Sequence, residues 1–200
     1  MIKRLFDATL AGTGILLSCP VWVLAAAAIK LEDGGPVFYS QERVGRNGAT
    51  FRALKFRSMR VDAETAVGAV QAADRDPRVT RVGRIMRATA MDELPQLLNV
   101  LAGDMSFVGP RALRPGEKET EGDALVPLAA VPGYSARIAV RPGLTGLAQI
   151  YAARDVPRRL KFRYDRLYIR RRSIWLDLRL ILLSFWISFL GTWESRGRKY

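Results

Sequence analysis

With 200 residues, the chain is long enough for one ordinary domain and an appendage, and too short for two large lobes. Its 32 Lys and Arg residues against 19 Asp and Glu residues give a net charge of +13, which favours an anionic partner such as nucleic acid, acidic lipid or a phosphorylated substrate. The chain has no histidine and one cysteine, Cys19, so it cannot form a Cys/His zinc site, a histidine-based triad or an intrachain disulfide.

The first predicted element is an apolar segment, residues 8–29, without a charged residue. This is about the ~20 residues that a helix needs to cross a bilayer, and a Lys/Arg-rich region follows it, which favours a membrane helix over a cleaved signal peptide. Pro20 lies in its middle and predicts a break, because proline removes a backbone hydrogen bond. Lys3 and Arg4 precede the segment and Lys30 follows it, so the positive-inside rule gives no orientation. A helix that bends at Pro20 and returns to the same face and a kinked spanning helix are both open here.

Short extended and helical patterns follow. Residues 36–39 and the alternation over residues 49–56 predict short strands, and residues 62–76 are typical of a surface loop or short helix. Residues 81–101 predict helices interrupted near Thr89 and Pro95 and ended by Gly103. The composition of residues 115–132 is typical of a loop.

The last predicted element is a long helical pattern over residues 158–190. Residues 174–190 are apolar except for Asp177 and Arg179, and tryptophans favour the headgroup level of a membrane. This pattern favours an amphipathic helix lying in the membrane interface, with a buried core helix as the alternative. The elements together predict an α+β fold that is mainly helical, with a small globular domain.

Asp92 and Glu93 are the sharpest local feature. Taken alone, two neighbouring acids before an apolar helix are typical of a favourable interaction with the helix N-terminus. However, arginines recur every third residue over residues 78–87, and Arg111 and Arg141 lie beside Gly-Pro and Pro-Gly pairs. Guanidinium groups bind phosphate bidentately, and nearby glycines allow backbone N–H groups to approach the same oxygens. The set predicts a diphosphate site around a carboxylate, with some of these arginines on a solvated or headgroup-facing helix side.

Four blocks, in order along the chain, closely resemble the bacterial sugar transferases. These are monotopic polyprenyl-phosphate phosphoglycosyl transferases, which begin glycan assembly on undecaprenyl phosphate. The blocks are residues 55–59 (KFRSM), 92–97 (DELPQL), 103–111 (GDMSFVGPR) and 141–149 (RPGLTGLAQ). The resemblance implies a re-entrant N-terminal helix kinked at a Ser-Pro pair, amphipathic helices at the membrane face, Mg2+ dependence and a two-step mechanism. The chain differs at the kink, which reads Ser18-Cys19-Pro20, and at Ala112, where the family has proline.

The resemblance also implies residue roles. Asp92 is the expected nucleophile and is expected to contact Mg2+. Glu93 is expected to be needed as well, and three roles stay open for it: positioning the metal, positioning the acceptor, or transferring a proton. The residues expected to contact phosphate or substrate are Lys55, Arg87, Arg111, Arg141 and Gln149. The expected reaction moves a sugar 1-phosphate from a UDP-sugar to undecaprenyl phosphate through an aspartyl-phosphosugar, and so initiates an exopolysaccharide, O-antigen or glycoprotein glycan.

These implications set the expected organisation. Residues 1–33 are a membrane-anchoring re-entrant helix, and residues 34–200 are a catalytic domain with a C-terminal amphipathic helix. The protein is expected to be monotopic in the bacterial inner membrane, in contact with its lipids. The catalytic domain is expected on the cytoplasmic face, where nucleotide sugars occur and anionic lipids attract Lys and Arg. The sequence does not indicate which sugar is transferred, and residues 115–137 are where we expect the discriminating contacts. A homodimer is a further expectation, based on apolar surface near the membrane.

A membrane-tethered basic protein that binds nucleic acid, or a scaffold without activity, is the alternative from another class. Nucleic-acid binding is typically marked by aromatic platforms interleaved with basic residues or by a recognition helix, and neither pattern is evident. The intact Asp92-Glu93 pair argues against a scaffold. No nucleic-acid partner is therefore expected.

Overall fold

The computed structural model describes residues 1–63, 76–121, 124–153 and 156–193. Within these ranges the chain is mainly helical, as predicted. The helices are α1 (Ile2–Asp33), α2 (Arg81–Ala88), α3 (Gln96–Ala102), α4 (Tyr134–Ile138), α5 (Leu147–Tyr151), α6 (Arg158–Arg171) and α7 (Ile174–Leu190). The strands are β1 (Phe38–Val44), β2 (Thr50–Phe56), β3 (Ser106–Val108), β4 (Lys118–Glu121), β5 (Ala124–Pro127) and β6 (Gly143–Thr145). Most of the predicted loop or helix at 62–76 lies outside the described residues.

The strands form three separate two-stranded sheets. β1 and β2 pair antiparallel from Phe38 opposite Phe56 to Val44 opposite Thr50. This confirms the predicted strand at 49–56, whereas the strand predicted at 36–39 begins at Phe38 and continues to Val44. β3 and β6 pair in parallel, and β4 and β5 form a second antiparallel hairpin. The prediction of a loop over residues 115–132 is therefore wrong at β4 and β5. Cross-strand pairing and contacts to α6 stabilise this hairpin. Neither can be read from the amino-acid composition of the segment.

The breaks predicted between the central helices are confirmed. α2 ends at Ala88 with Thr89 as its C-cap, α3 begins after Pro95, and Gly103 ends α3 in the left-handed conformation at φ 100°. Glycine adopts this conformation without a Cβ penalty. The long pattern at 158–190 folds as two helices, because Ser173 starts α7 by accepting a hydrogen bond from the Leu176 N–H at 3.2 Å.

Helix α1 is one helical element that includes Pro20, and it ends at Gly34, whose φ is 70°. It is the one helix in the described part of the chain that is long and apolar enough to cross a membrane. Near the proline, the Ser18 hydroxyl donates to the Ile15 carbonyl at 3.4 Å and accepts from Trp22 Nε1 at 2.9 Å, while Cys19 is exposed. Ser18 is thus the residue of the Ser18-Cys19-Pro20 group that makes polar contacts in the helix. The re-entrant bend itself stays a prediction.

Both ends of α1 bind the globular part of the chain. At its start, Lys3 Nζ lies 2.6 Å from Asp177 Oδ2 of α7, and Arg4 donates to the carbonyls of Val100 and Leu101 in α3 at 2.5 and 2.6 Å. Asp7 accepts a hydrogen bond from the Phe107 N–H at 3.2 Å.

At the other end of α1, Asp33 forms an ion pair with Arg57, which follows β2. Glu32 accepts hydrogen bonds from the first two backbone N–H groups of α2, at 2.6 and 3.1 Å. The two ends of the helix are therefore attached to the same domain.

Apolar packing fastens the middle of α1 as well. One buried cluster joins Ala11 of α1 to Val100, Met105, Leu180 and Ile187 of α3, the segment before β3, and α7. A second cluster places Ile29 of α1 against Phe56 and Met86, with Trp22 packed edge-on against Phe56 at 5.5 Å.

Other faces of α1 and α7 are apolar and exposed. The exposed large apolar residues of these helices include Leu5, Leu16, Leu17, Val23, Leu24 and Leu31 in α1 and Trp175, Leu182, Phe185, Trp186 and Phe189 in α7. Exposed apolar surface of this kind is typical of protein or membrane interaction sites.

We predict that Lys3→Met lowers the free energy of unfolding by about 1–3 kcal/mol, measured by thermal unfolding in detergent. Asp177 is 1% exposed, and an unpaired buried charge is costly, although the 36% exposure of the Lys3 side chain moderates the loss. Adding Asp177→Asn should recover part of the loss, because it removes the unpaired charge. Lys30→Met, at the exposed end of the same helix, serves as the control. Identical melting of Lys3→Met and the wild type would contradict this account.

Candidate active site around Asp92 and Glu93

Asp92 and Glu93 lie in a 3-10 turn, Met91–Glu93, between α2 and α3. Ala90, just before the turn, has φ 57°, a left-handed conformation that costs a non-glycine residue roughly 1–2 kcal/mol. Such conformations persist where the surrounding structure fixes them, and they cluster at functional sites. The tight reversal brings both acids to the wall of a cavity.

Close packing of α2 places this turn beside β2. Thr80 caps α2 by accepting a hydrogen bond from the Gly83 N–H at 2.9 Å. A Cβ on Gly83 would lie 2.0 Å from the Ser58 carbonyl oxygen, so only glycine allows this approach. The strand that carries Lys55 is thereby held next to the turn that carries the two acids.

Two cations bind the same oxygen of Glu93. Lys55 Nζ lies 2.5 Å and Arg111 Nη2 lies 2.8 Å from Glu93 Oε1. Lys55 Nζ is also 4.0 Å from Asp92 Oδ2, beyond hydrogen-bonding distance. Glu93 is thus strongly paired, and Asp92 is the less engaged of the two carboxylates.

The two acids consequently have opposite pKa shifts. Burial raises the pKa of Asp92 to about 6, with the negative charge of Glu93 adding to the rise and Lys55 opposing it. Burial would raise the pKa of Glu93 too, but Arg111 and Lys55 outweigh it and hold that pKa well below its usual range. At neutral pH both groups are ionised, and the Asp92 charge is the more weakly stabilised.

The acids open into a cavity of about 1500 Å³. Eleven Lys or Arg residues line it against four Asp or Glu residues, so an anion is attracted into it. Another part of the wall is apolar and comes from α1 and α7, where Leu10, Leu17, Phe185 and Phe189 line the space. One cavity therefore combines buried carboxylates, excess positive charge and an apolar wall.

The glycines near Arg111 and Arg141 serve backbone packing. A Cβ on Gly109 would lie 2.6 Å from the Arg141 carbonyl oxygen, and one on Gly143 would lie 2.0 Å from the Gly109 nitrogen. The Gly109 N–H donates to the Thr145 carbonyl and the Gly143 N–H donates to the Pro110 carbonyl, both at 2.9 Å. The interpretation of these glycines as exposing N–H groups to phosphate is therefore wrong at both positions. Both N–H groups donate to backbone carbonyls between the paired β3 and β6 segments.

Most of the predicted site residues meet in the cavity. Those that line it are Lys55, Arg87, Asp92, Glu93, Arg111, Gln149 and Ser18. Arg141 does not line the cavity among the residues that the structure describes. Its Nε instead donates to the Gly103 carbonyl at 2.7 Å, which connects the segment before β6 to the end of α3. Its expected phosphate contact stays a prediction.

A buried ion pair lies behind Arg111. Arg137 Nε lies 3.1 Å from Asp165 Oδ2, and these side chains are 5% and 3% exposed. Arg137 also donates to the Arg111 carbonyl at 2.8 Å and lies 4.5 Å above the Phe162 ring. The pair fixes the backbone that carries Arg111. Its partners are 28 residues apart on different helices, so no local pattern could reveal it.

The chain is similar to known proteins over nearly all its length. A family model described as bacterial sugar transferase matches residues 1–191. A UDP-glucose:undecaprenyl-phosphate glucose-1-phosphate transferase of Caulobacter vibrioides is 44% identical over 185 residues, which is 90% of this chain and 67% of that protein.

Two further relatives differ in length and in the sugar they name. The exopolysaccharide production protein PSS of Rhizobium leguminosarum bv. phaseoli is 41% identical over 90% of this chain and 92% of its own length. A UDP-N-acetylgalactosamine-undecaprenyl-phosphate N-acetylgalactosaminephosphotransferase of Aeromonas hydrophila is 44% identical over 90% of this chain. The match spans only 42% of that longer relative.

We predict that Asp92→Asn is more stable than the wild type at pH 7.5, by up to about 3 kcal/mol, in thermal unfolding. A rise of the folded-state pKa from 3.8 to about 6 means that burial disfavours the charged form by roughly this amount. Because the folded-state pKa is raised, this contribution favours the fold at low pH and is lost as pH rises through about 6. The gain of the variant should vanish below about pH 4. Asp62→Asn, at an exposed acid, is the control, and a less stable Asp92→Asn at pH 7.5 would contradict the prediction.

Proposed function

Because the chain belongs to the bacterial sugar transferase family, we propose that it transfers a sugar 1-phosphate from a UDP-sugar to undecaprenyl phosphate. This reaction initiates an exopolysaccharide, O-antigen or glycoprotein glycan. The observation that carries the proposal is the buried Asp92, beside the partly buried Glu93, in a cavity that is cationic on one part of its wall and apolar on another. The names of the relatives supply the donor and acceptor classes.

The cavity wall suits both substrates. A nucleoside diphosphate sugar needs cations around its phosphates, and Lys55, Arg87 and Arg111 line the space beside Asp92. A polyprenyl phosphate needs an apolar surface that continues into the membrane. Lining residues of α1 and α7 offer one, since other faces of the same helices are apolar and exposed.

In the first step a carboxylate oxygen of Asp92 attacks the β-phosphorus of the donor. An O–P bond forms between Asp92 and the phosphosugar, the bond from the β-phosphorus to the bridging oxygen breaks, and UMP leaves with the electron pair. The weakly stabilised charge of Asp92 favours this role, because a carboxylate held by several hydrogen bonds is a poorer nucleophile.

In the second step a phosphate oxygen of the lipid attacks the same phosphorus. The bond from Asp92 to phosphorus breaks, the carboxylate is regenerated, and the product is a lipid diphosphate sugar. Splitting the transfer in this way lets one cavity process two anionic substrates in turn.

Glu93 is assigned to positioning. Its carboxylate holds Lys55 and Arg111 on one oxygen, which aims both cations at the space beside Asp92. Because these cations keep the pKa of Glu93 far below neutrality, it stays ionised and is unsuited to moving a proton at pH 7. Preorganised cations of this kind stabilise charge that develops in a phosphoryl transfer.

Asp92 is also the side chain that fits Mg2+. Mg2+ is commonly held by one or two carboxylates together with substrate phosphates. No group of three or more acidic, His or Cys side chains is available in the described ranges, and Glu93 is already paired with two cations. Asp92 with the donor phosphates is therefore the proposed binding set, and the ion would supply further charge neutralisation.

The attachment of α1 supports a monotopic placement. A straight 32-residue helix is roughly 48 Å long, more than the ~30 Å of the hydrocarbon core. If α1 crossed the bilayer, its two ends would lie on opposite sides. Its ion pairs through Lys3 and Asp33 instead reach one domain. We propose that residues 1–33 enter and leave the inner membrane from the cytoplasmic face, with residues 34–200 as the catalytic domain and α7 in the interface. The homodimer stays a prediction.

The test is to mix the protein with undecaprenyl phosphate, Mg2+ and a panel of UDP-sugars, and to measure UMP release. We expect release from at least one donor, with UDP-glucose the first candidate, and a loss of at least about 10³-fold in Asp92→Asn. Release should rise with pH as Asp92 ionises and then level off, with the rise below about pH 6, because Mg2+ bound at Asp92 favours the charged form. Arg163→Gln, an exposed change on α6, is the control. Wild-type activity in Asp92→Asn would overturn the proposal.

A further inference from the structure

Arg43 and Arg114 line the same cavity, and both donate hydrogen bonds to the uncharged amide oxygen of Gln41. Arg43 Nη2 donates to Gln41 Oε1 at 2.5 Å, and Arg114 Nε donates to the same oxygen at 3.3 Å. Arg43 Nη1 also donates to the Ala112 carbonyl at 3.1 Å. These acceptors fix the orientation of the guanidinium groups without neutralising their charge.

The carboxylates nearby already have other partners. Glu93 binds Lys55 and Arg111, and Glu117 lies 2.5 Å from Arg158. Positive charge therefore exceeds negative charge in this part of the cavity wall. A phosphate that entered here would gain two planar guanidinium groups already fixed in place.

The arginines are also close to the catalytic cations. Burial, and then the neighbouring positive charges of Arg111 and Arg114, lower the pKa of Arg43 to about 10. Arg111 in turn binds Glu93 beside Asp92. Two neighbouring cation groups result, a first position at Lys55 and Arg111 beside Glu93 and a second at Arg43 and Arg114 near Arg111.

The geometry of phosphoryl transfer determines which phosphate group can occupy the second position in each step. The attacking and leaving oxygens lie roughly in line on opposite sides of the phosphorus. In the first step UMP leaves from the side opposite Asp92. In the second step the bond to Asp92 is the one that breaks, so the lipid phosphate must attack from the side that UMP has left.

We propose that Arg43 and Arg114, held on Gln41, form one phosphate subsite that binds the leaving UMP in the first step and the lipid phosphate in the second. The inference rests on the proposed function and deepens it, because it makes the two substrates share a subsite. UMP and the acceptor lipid must then compete, although one is a nucleotide and the other a lipid.

The test is equilibrium binding to the full chain in detergent, titrated separately with UMP and with a short-chain prenyl phosphate. Arg114→Gln is expected to weaken both ligands by about tenfold or more, and Arg114→Lys to restore part of the loss. Gln41→Glu is the sharper variant. It keeps both arginines but sets one negative charge against their two positive charges, so it should weaken both ligands while thermal stability is kept or raised, which a purely structural role would not produce. Arg46→Gln, an exposed arginine outside the cavity lining, is the control.

Competition between UMP and prenyl phosphate in the wild type, with both weakened in Arg114→Gln and Gln41→Glu, supports the shared subsite. Loss of only one ligand, loss of neither, or no binding of either ligand to the wild type overturns it. Failure of the proposed function looks different: both phosphates bind and compete, but no UDP-sugar yields UMP.

Discussion

The site depends on keeping the Asp92 carboxylate ionised in a place from which water is largely excluded. Burial alone would protonate a carboxyl group near neutrality, and cations placed too close would make it a weak nucleophile. Both conditions are met because Lys55 and Arg111 form ion pairs with Glu93. Their positive charge therefore lies near Asp92, but they do not hydrogen-bond to it. The close packing at Gly83 and the Arg137–Asp165 ion pair hold these groups in position.

In the proposed arrangement, helix α1 links this site to the membrane. It is bound at both ends and along its middle, and its residues line part of the cavity while other faces are apolar and exposed. A lipid substrate held along this helix would reach the carboxylates without leaving an apolar surface. Under the proposed function, the anchor and the acceptor site are parts of one element, and a change in how α1 is attached should also alter the site.

Features set by local chemistry could be read from the sequence, including the apolar first helix, the β1–β2 strands and the stops at Thr89 and Gly103. Asp92 and Lys55 were found through motifs. Pairings between distant segments could not be read, because charge and spacing do not say which arginine meets which acid. Among the described residues, Arg141 binds a carbonyl and does not line the cavity, while Arg43 of β1 does line it.

In the proposed mechanism, Asp92 itself becomes bonded to the transferred phosphosugar. Mass spectrometry of the protein and its peptides, after mixing with the active UDP-sugar and Mg2+ in the absence of lipid, tests this step. We expect a mass increase of one sugar phosphate on the peptide that contains Asp92, and its disappearance when undecaprenyl phosphate is added. An unmodified protein that still forms product once lipid is present, or modification at another residue, would contradict it.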